Sequence, residues 1–163
     1  MFQRTTVWTL SITLILLATS ATRADEQAKL KGLIVVGGCC HDYAKQKLIL
    51  SEGLSHRVNI EWDVFHGPGG RDTKLEVYKE PDWIKQYNIV VHNECYGGLK
   101  DNEWLEALVK AHTENGVPAI MIHCSMHSYR AASTDAWRNL LGVRSMRHGG
   151  GGRQLDVKDV AGD

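Results

Sequence analysis

The sequence predicts an α/β fold built on a parallel sheet. Three observations carry that reading. Short apolar runs recur at Leu33–Val36, Ile89–Val91 and Ala119–Ile122, each bounded by turn residues, as buried parallel strands are. Segments with helical spacing lie between them, which is the βαβ rhythm of a parallel sheet with right-handed crossovers. Each run also empties at once into histidines and cysteines, and open parallel sheets hold ligands at the carboxyl ends of their strands.

The elements follow in order. Lys31–Gly38 reads as the first strand, stopped by Gly37 and Gly38, with Cys39, Cys40, His41, Asp42 and Tyr43 in the loop. Asp42 caps a helix over about Ala44–Leu54, with Leu48, Ile49 and Leu54 expected on its inner side. Arg57–Phe65 starts in strict alternation, as a half-exposed edge strand does, and ends in the turn-rich His66-Gly67-Pro68-Gly69-Gly70. Pro81–Tyr87 is a short helical piece. Tyr87–Val91 is the third strand, followed by His92-Asn93-Glu94-Cys95-Tyr96. Asp101 caps a helix reaching Asn115, with Trp104, Leu105, Leu108, Val109 and His112 at helical spacing and Gly116 closing it. Ala119–Ile122 is a buried fourth strand, leading into His123-Cys124-Ser125-Met126-His127-Ser128-Tyr129-Arg130, and Thr134–Leu141 is a last helix. The strand order 2-1-3-4, the flavodoxin-like solution, is the usual one for such a chain.

Composition bounds the rest. The chain has 163 residues, 43% of them hydrophobic and 7% aromatic, enough for one self-supporting core. Formal net charge is zero, so neither a nucleic acid nor an anionic membrane surface finds a basic patch. Residues 1–24 read as a secretory signal peptide: Arg4, an apolar Val7–Ala18, and small residues ending at Ala24. That run is too short to span a bilayer, so export without a stable membrane anchor is expected, to the periplasm or outside the cell. Residues 25–147 form the domain, and 148–163, with glycines at 149–152, read as a flexible tail. The four cysteines, at 39, 40, 95 and 124, do not resemble a disulfide scaffold, and Cys39 and Cys40 read as small buried hydrophobes.

Four strand ends carry a histidine: His41, His66, His92 and His123. Parallel strands bring such ends to one rim, where Asn93, Glu94, Cys95, Cys124, His127 and Arg130 join them. His56 and His112 read as spectators in helical contexts. The rim admits three chemistries. Cys124 is a candidate nucleophile, with His92, His123 or His127 as its base. His92 or His123 with Glu94 could move protons on a hydroxylated substrate. His41, His92 and His123 could hold a divalent metal such as zinc.

At Val36-Gly37-Gly38 with His41-Asp42-Tyr43, at His92-Asn93-Glu94, and at Ile122-His123-Cys124-Ser125-Met126-His127-Ser128-Tyr129-Arg130, the chain resembles the trehalose-utilisation (ThuA-like) family, within the class I glutamine amidotransferase-like superfamily. The resemblance spans about Lys31 to Arg147. It implies a flavodoxin-like three-layer sandwich and a role in carbohydrate metabolism on a sugar-related small molecule, trehalose-like or a keto-disaccharide. The rim chemistry makes His92, Glu94, His123, Cys124 and His127 the expected catalytic residues, with His41, Asp42, Tyr43, Asn93 and Arg130 as expected substrate contacts. Cys124 matches the superfamily's nucleophile, but Ile122 and Met126 stand where its elbow has glycines. The superfamily's histidine and glutamate lie further downstream, so a glutamine-hydrolysing triad is not expected. A carbohydrate hydrolase or isomerase is the expected activity; the alternatives are a non-catalytic carbohydrate-binding or decayed enzyme domain and a cysteine-nucleophile amidohydrolase. Further strands implied by the resemblance are missing, so the sandwich is expected to be truncated at its C-terminal end. The fourth strand is then an open edge, able to pair with a second copy.

Overall fold

The computed structural model describes residues 28–149 together with Gly152 and Gln154. The expected signal peptide and most of the expected tail lie outside the described residues. Among those described, no helix is long and apolar enough to cross a membrane.

Four strands, β1 (Leu30–Gly38), β2 (Ile60–His66), β3 (Ile89–Cys95) and β4 (Ala119–Met121), form one parallel sheet in the order β2-β1-β3-β4. Helix α1 (Tyr43–Ser55) covers one face, and α2 (Asn102–Asn115) and α3 (Ala136–Leu141) cover the other. The three-layer α/β class and the strand order are those the sequence predicts. Alternation along β1 feeds both layers. Leu33 and Val35 join Val90, Leu105, Leu108 and Trp137 on the α2/α3 side. Ile34 and Val36 join Val91, Cys95, Cys124 and Tyr43 on the α1 side. Each such fully buried aliphatic side chain contributes about 1.5–3 kcal/mol.

Local signals hold where the chemistry is local. Asp42 accepts from the Lys45 amide at 3.1 Å and Asp101 from the Trp104 amide at 2.9 Å, each satisfying an orphan donor of its helix. Gly116 closes α2 at φ 63°, and Gly142 closes α3 at φ 71°.

The structure corrects several expectations. β3 does not stop at Val91: it continues through His92, Asn93, Glu94 and Cys95, because β1 offers paired backbone as far as Gly38. On α1 the inward side is Tyr43, Leu50 and Leu54, while Leu48 and Ile49 are 53% and 65% exposed. β2 begins at Ile60 rather than Arg57. β4 is not buried: it is a three-residue edge strand with Ile120 42% exposed, since no described strand pairs with its outer side.

Candidate functional site

The carboxyl ends of β1, β3 and β4 converge, and their side chains divide by face. A strand alternates, so consecutive residues of β3 go to opposite layers. Asn93 and Cys95 point to the α1 side, and His92 and Glu94 to the α2/α3 side.

On the α1 side, Gly38 lies directly opposite Cys95 in the β1–β3 register. Its φ of 91° turns the chain off the sheet, and a Cβ there would overlap the Cys95 carbonyl. The Cys39 amide donates to that carbonyl at 3.3 Å, and the Tyr43 hydroxyl donates to the Cys39 carbonyl at 3.0 Å. The loop is thereby folded back over the strand ends. Beyond β4 the chain makes one 3-10 turn, His123–His127, with His123 itself at φ 48°. The Trp137 indole of α3 donates to the Ser125 carbonyl at 2.8 Å and holds that turn. Ser128 completes the scaffold: its hydroxyl donates to the Glu94 carbonyl at 2.6 Å and accepts from the Tyr96 amide at 3.1 Å.

The result is a cavity of about 230 Å³ walled by His41, Cys95, Cys124, His127, Arg130 and His148 among others. His41 Nε2 lies 2.9 Å from Cys124 Sγ, across 83 positions of sequence. His148 Nε2 approaches the same sulfur at 3.7 Å, and its ring packs edge-on to His127. Burial, then the charges of His123 and His148, lower the pKa of His41. Burial, then His148 and Arg130, lower that of His127. Both imidazoles are therefore neutral at neutral pH. Burial, then the neighbouring Cys95, pushes the Cys124 thiol up to about 11, against a weaker opposite pull from Arg130.

Among the described residues, three donor triads could hold a metal ion. Cys95, Cys124 and His127 are all buried; His41, His123 and Cys124 share the same sulfur; Cys39, Cys40 and Cys95 form the third. The last is closed to a cation because Cys39 and Cys40 are joined in a disulfide, which corrects their reading as buried hydrophobes. Adjacent cysteines can bond only in an unusual backbone, and Cys40 has φ 87°. Cys95 and Cys124 remain free thiols, with Cys95 Sγ 3.8 Å from Cys39 Sγ.

Of the residues expected at the rim, His41, Cys124, His127 and Arg130 meet at the cavity, and His123 stands beside it, its ring 4.9 Å from that of His41. Tyr43 and Asp42 serve the loop and the helix cap instead. Asn93 donates to Gln46 at 2.9 Å and lines an adjacent shallow groove with Ile49, Leu50, Ile122 and His123. His66 faces Lys47 at the exposed edge. His148, assigned from the sequence to a flexible tail, belongs to the wall; nothing local in a glycine-rich stretch signals that.

His92 and Glu94 do not reach the cavity, because alternation turns them into the opposite core, where both are fully buried. There Glu94 Oε1 accepts from Tyr78 at 3.2 Å and Tyr129 at 3.0 Å and lies 2.9 Å from His92 Nδ1. His112, expected to be a spectator, is buried and completes this network, with its Nε2 3.1 Å from His92 Nε2. Its Nδ1–H donates to the Val117 carbonyl at 2.9 Å, so its Nε2 must accept, and His92 Nε2 carries the proton between them.

No family model, no curated protein and no solved structure matches the chain.

Proposed function

We propose that the chain is an exported ThuA-like protein of carbohydrate metabolism. It acts on a sugar-related small molecule, trehalose-like or a keto-disaccharide, by acid/base or metal-assisted chemistry in the strand-end cavity. One observation carries the reading: His41 meets Cys124 at 2.9 Å in a pocket that His127, His148 and Arg130 also wall. Pockets for drug-sized ligands run to roughly 300–1,000 Å³, so a cavity of about 230 Å³ suits a smaller group, one sugar unit rather than a whole disaccharide.

The residues divide the work as follows. His41 and His127, neutral and facing the cavity, are the proton carriers, with His123 at the mouth. A ring carbonyl acidifies the neighbouring C–H. On a keto-disaccharide, one imidazole takes that proton, the electron pair forms a C=C bond to the anomeric carbon, and the glycosidic C–O bond breaks. A second imidazole protonates the leaving oxygen, and Arg130 stabilises the charge that develops on the carbonyl oxygen. His92 and Glu94, away from the cavity, keep β3 in place instead of touching substrate. Cys124 is a poor nucleophile with its thiol protonated at neutral pH, which counts against amidohydrolysis.

The test is turnover by the full chain on a panel of disaccharides and their keto derivatives. Replacing His41 or His127 with Ala should lower kcat/KM by about 10²–10⁴-fold with the circular dichroism unchanged. Sugar binding without turnover of any member would favour the non-catalytic carbohydrate-binding alternative. Glutamine hydrolysis abolished by Cys124→Ser would favour the amidohydrolase.

A further inference from the structure

We infer that Cys95, Cys124 and His127 form a binding site for a soft divalent cation of the zinc type, with its fourth position open to the cavity beneath His41. The three side chains are buried, and their donor atoms all lie within 4.8 Å of one another. A tetrahedral zinc holds sulfur at about 2.3 Å and imidazole nitrogen at about 2.0–2.1 Å, which sets neighbouring donors roughly 3.3–3.8 Å apart. Closing the triad on an ion therefore asks for about 1 Å of movement, within reach of side-chain rotation and with no shift of backbone.

The backbone is already fixed. Cys95 is held in register opposite Gly38. The turn bearing Cys124 and His127 is held by Trp137 from α3 and is followed directly by Ser128, which is bonded to β3. Two sulfurs and an imidazole are a soft donor set, suited to zinc and unsuited to magnesium or calcium, which prefer oxygen. Two thiolates also neutralise the cation's charge, so it can sit beside Arg130 without net repulsion. The Cys39–Cys40 disulfide removes the two nearest rival sulfurs and leaves Cys95 free.

The overlapping set of His41, His123 and Cys124 is less suited to hold the ion, because His123 is exposed. His41, 2.9 Å from Cys124 Sγ, stands where it can bond to a ligand in the open position or close over the ion itself. Three protein ligands and one open position are the arrangement of catalytic rather than structural zinc sites. The inference deepens the reading of this cavity as a reaction site in its metal-assisted form, in which His127 holds the ion and His41 is left as the proton carrier; metal is read directly and needs no substrate.

Full-length protein should be purified with its native disulfide, assayed for metal content, stripped with a chelator and titrated with Co²⁺. Stoichiometric zinc is expected, together with a sulfur-to-cobalt charge-transfer band in the near ultraviolet and strong tetrahedral ligand-field bands in the visible. Cys124→Ser and His127→Gln should each weaken Co²⁺ binding by at least roughly tenfold. His123→Ala and His56→Gln should retain it. Folded wild-type protein that carries no metal and gives no thiolate–cobalt band overturns the site without need of a variant. Metal lost in His123→Ala but kept in His127→Gln overturns this donor set. Protein that turns over a sugar, yet carries no metal as purified and takes up no Co²⁺, would remove the cation and leave the acid/base reading intact. A loaded site without turnover would do the reverse.

Discussion

The imidazoles of His112 and His92 meet nitrogen to nitrogen at 3.1 Å in the interior, one from α2 and one from β3. Burial, then the neighbouring His92, pushes His112 down to about 4. It is therefore neutral in the folded chain at pH values where the unfolded chain, at about 6.5, takes up a proton. The unfolded state binds more protons between these values, so stability is full above pH 6.5 and falls as pH drops toward 4. The loss attributable to this residue is roughly 3 kcal/mol. Urea unfolding at pH 7 and pH 4.5 should show it, and His112→Gln should flatten that dependence. An unchanged slope in the variant would refute the assignment.

Glu94 takes part in the same network with three partners on one oxygen. Glu94→Ala would strand the hydroxyls of Tyr78 and Tyr129 and uncouple His92, all inside the core. A loss of about 3–5 kcal/mol is expected, enough to deplete the folded state at 37 °C. Denaturant titration checks this. A loss below about 1 kcal/mol would mean that water reaches the network.

Gly38→Ala should damage the cavity without touching any of its titratable side chains. The substituted Cβ would run into the Cys95 carbonyl at a φ that L side chains rarely adopt. A destabilisation of more than about 1 kcal/mol is expected, with weakened Co²⁺ binding as Cys95 is displaced. Thermal melts and the cobalt titration read the two effects separately.

The outer side of β4, unpaired among the described residues, should bring two copies of the chain together. Ile120 on the strand and the exposed Ile49 beside the adjoining groove supply the apolar contact. Sedimentation should show concentration-dependent association, and Ile120→Lys should shift it toward monomer. Monomeric wild-type protein at every accessible concentration would sink the idea.

How far the sequence could be read follows from the range of each interaction. Helix caps, closing glycines and apolar runs are local, so Asp42, Asp101, Gly116 and the strands themselves were legible, while the strand order came from the usual flavodoxin-like arrangement. The cavity was legible in part: His41, Cys124, His127 and Arg130 could be placed because a parallel sheet sends every strand end the same way. The faces were not. Reading β3 as finished at Val91 turned His92 and Glu94 into loop residues free to reach the rim. Pairing with β1 prolongs the strand, and that pairing is set by residues nearly sixty positions upstream. The Cys39–Cys40 bond and the place of His148 rest on backbone turns and long-range packing that no spacing rule encodes.

β3 has a consequence for how the chain can change. Its even and odd positions belong to separate compartments, a wet pocket and a sealed interior, yet they ride on one ribbon. Slipping that ribbon by a single step would deliver a carboxylate to the sulfurs and bury a thiol among tyrosines, ruining both at once. Substitutions that loosen the grip of β1 on β3 should therefore show up in the chemistry and the melting behaviour together. Variation in pocket specificity has room only in the loops that overhang the strand ends.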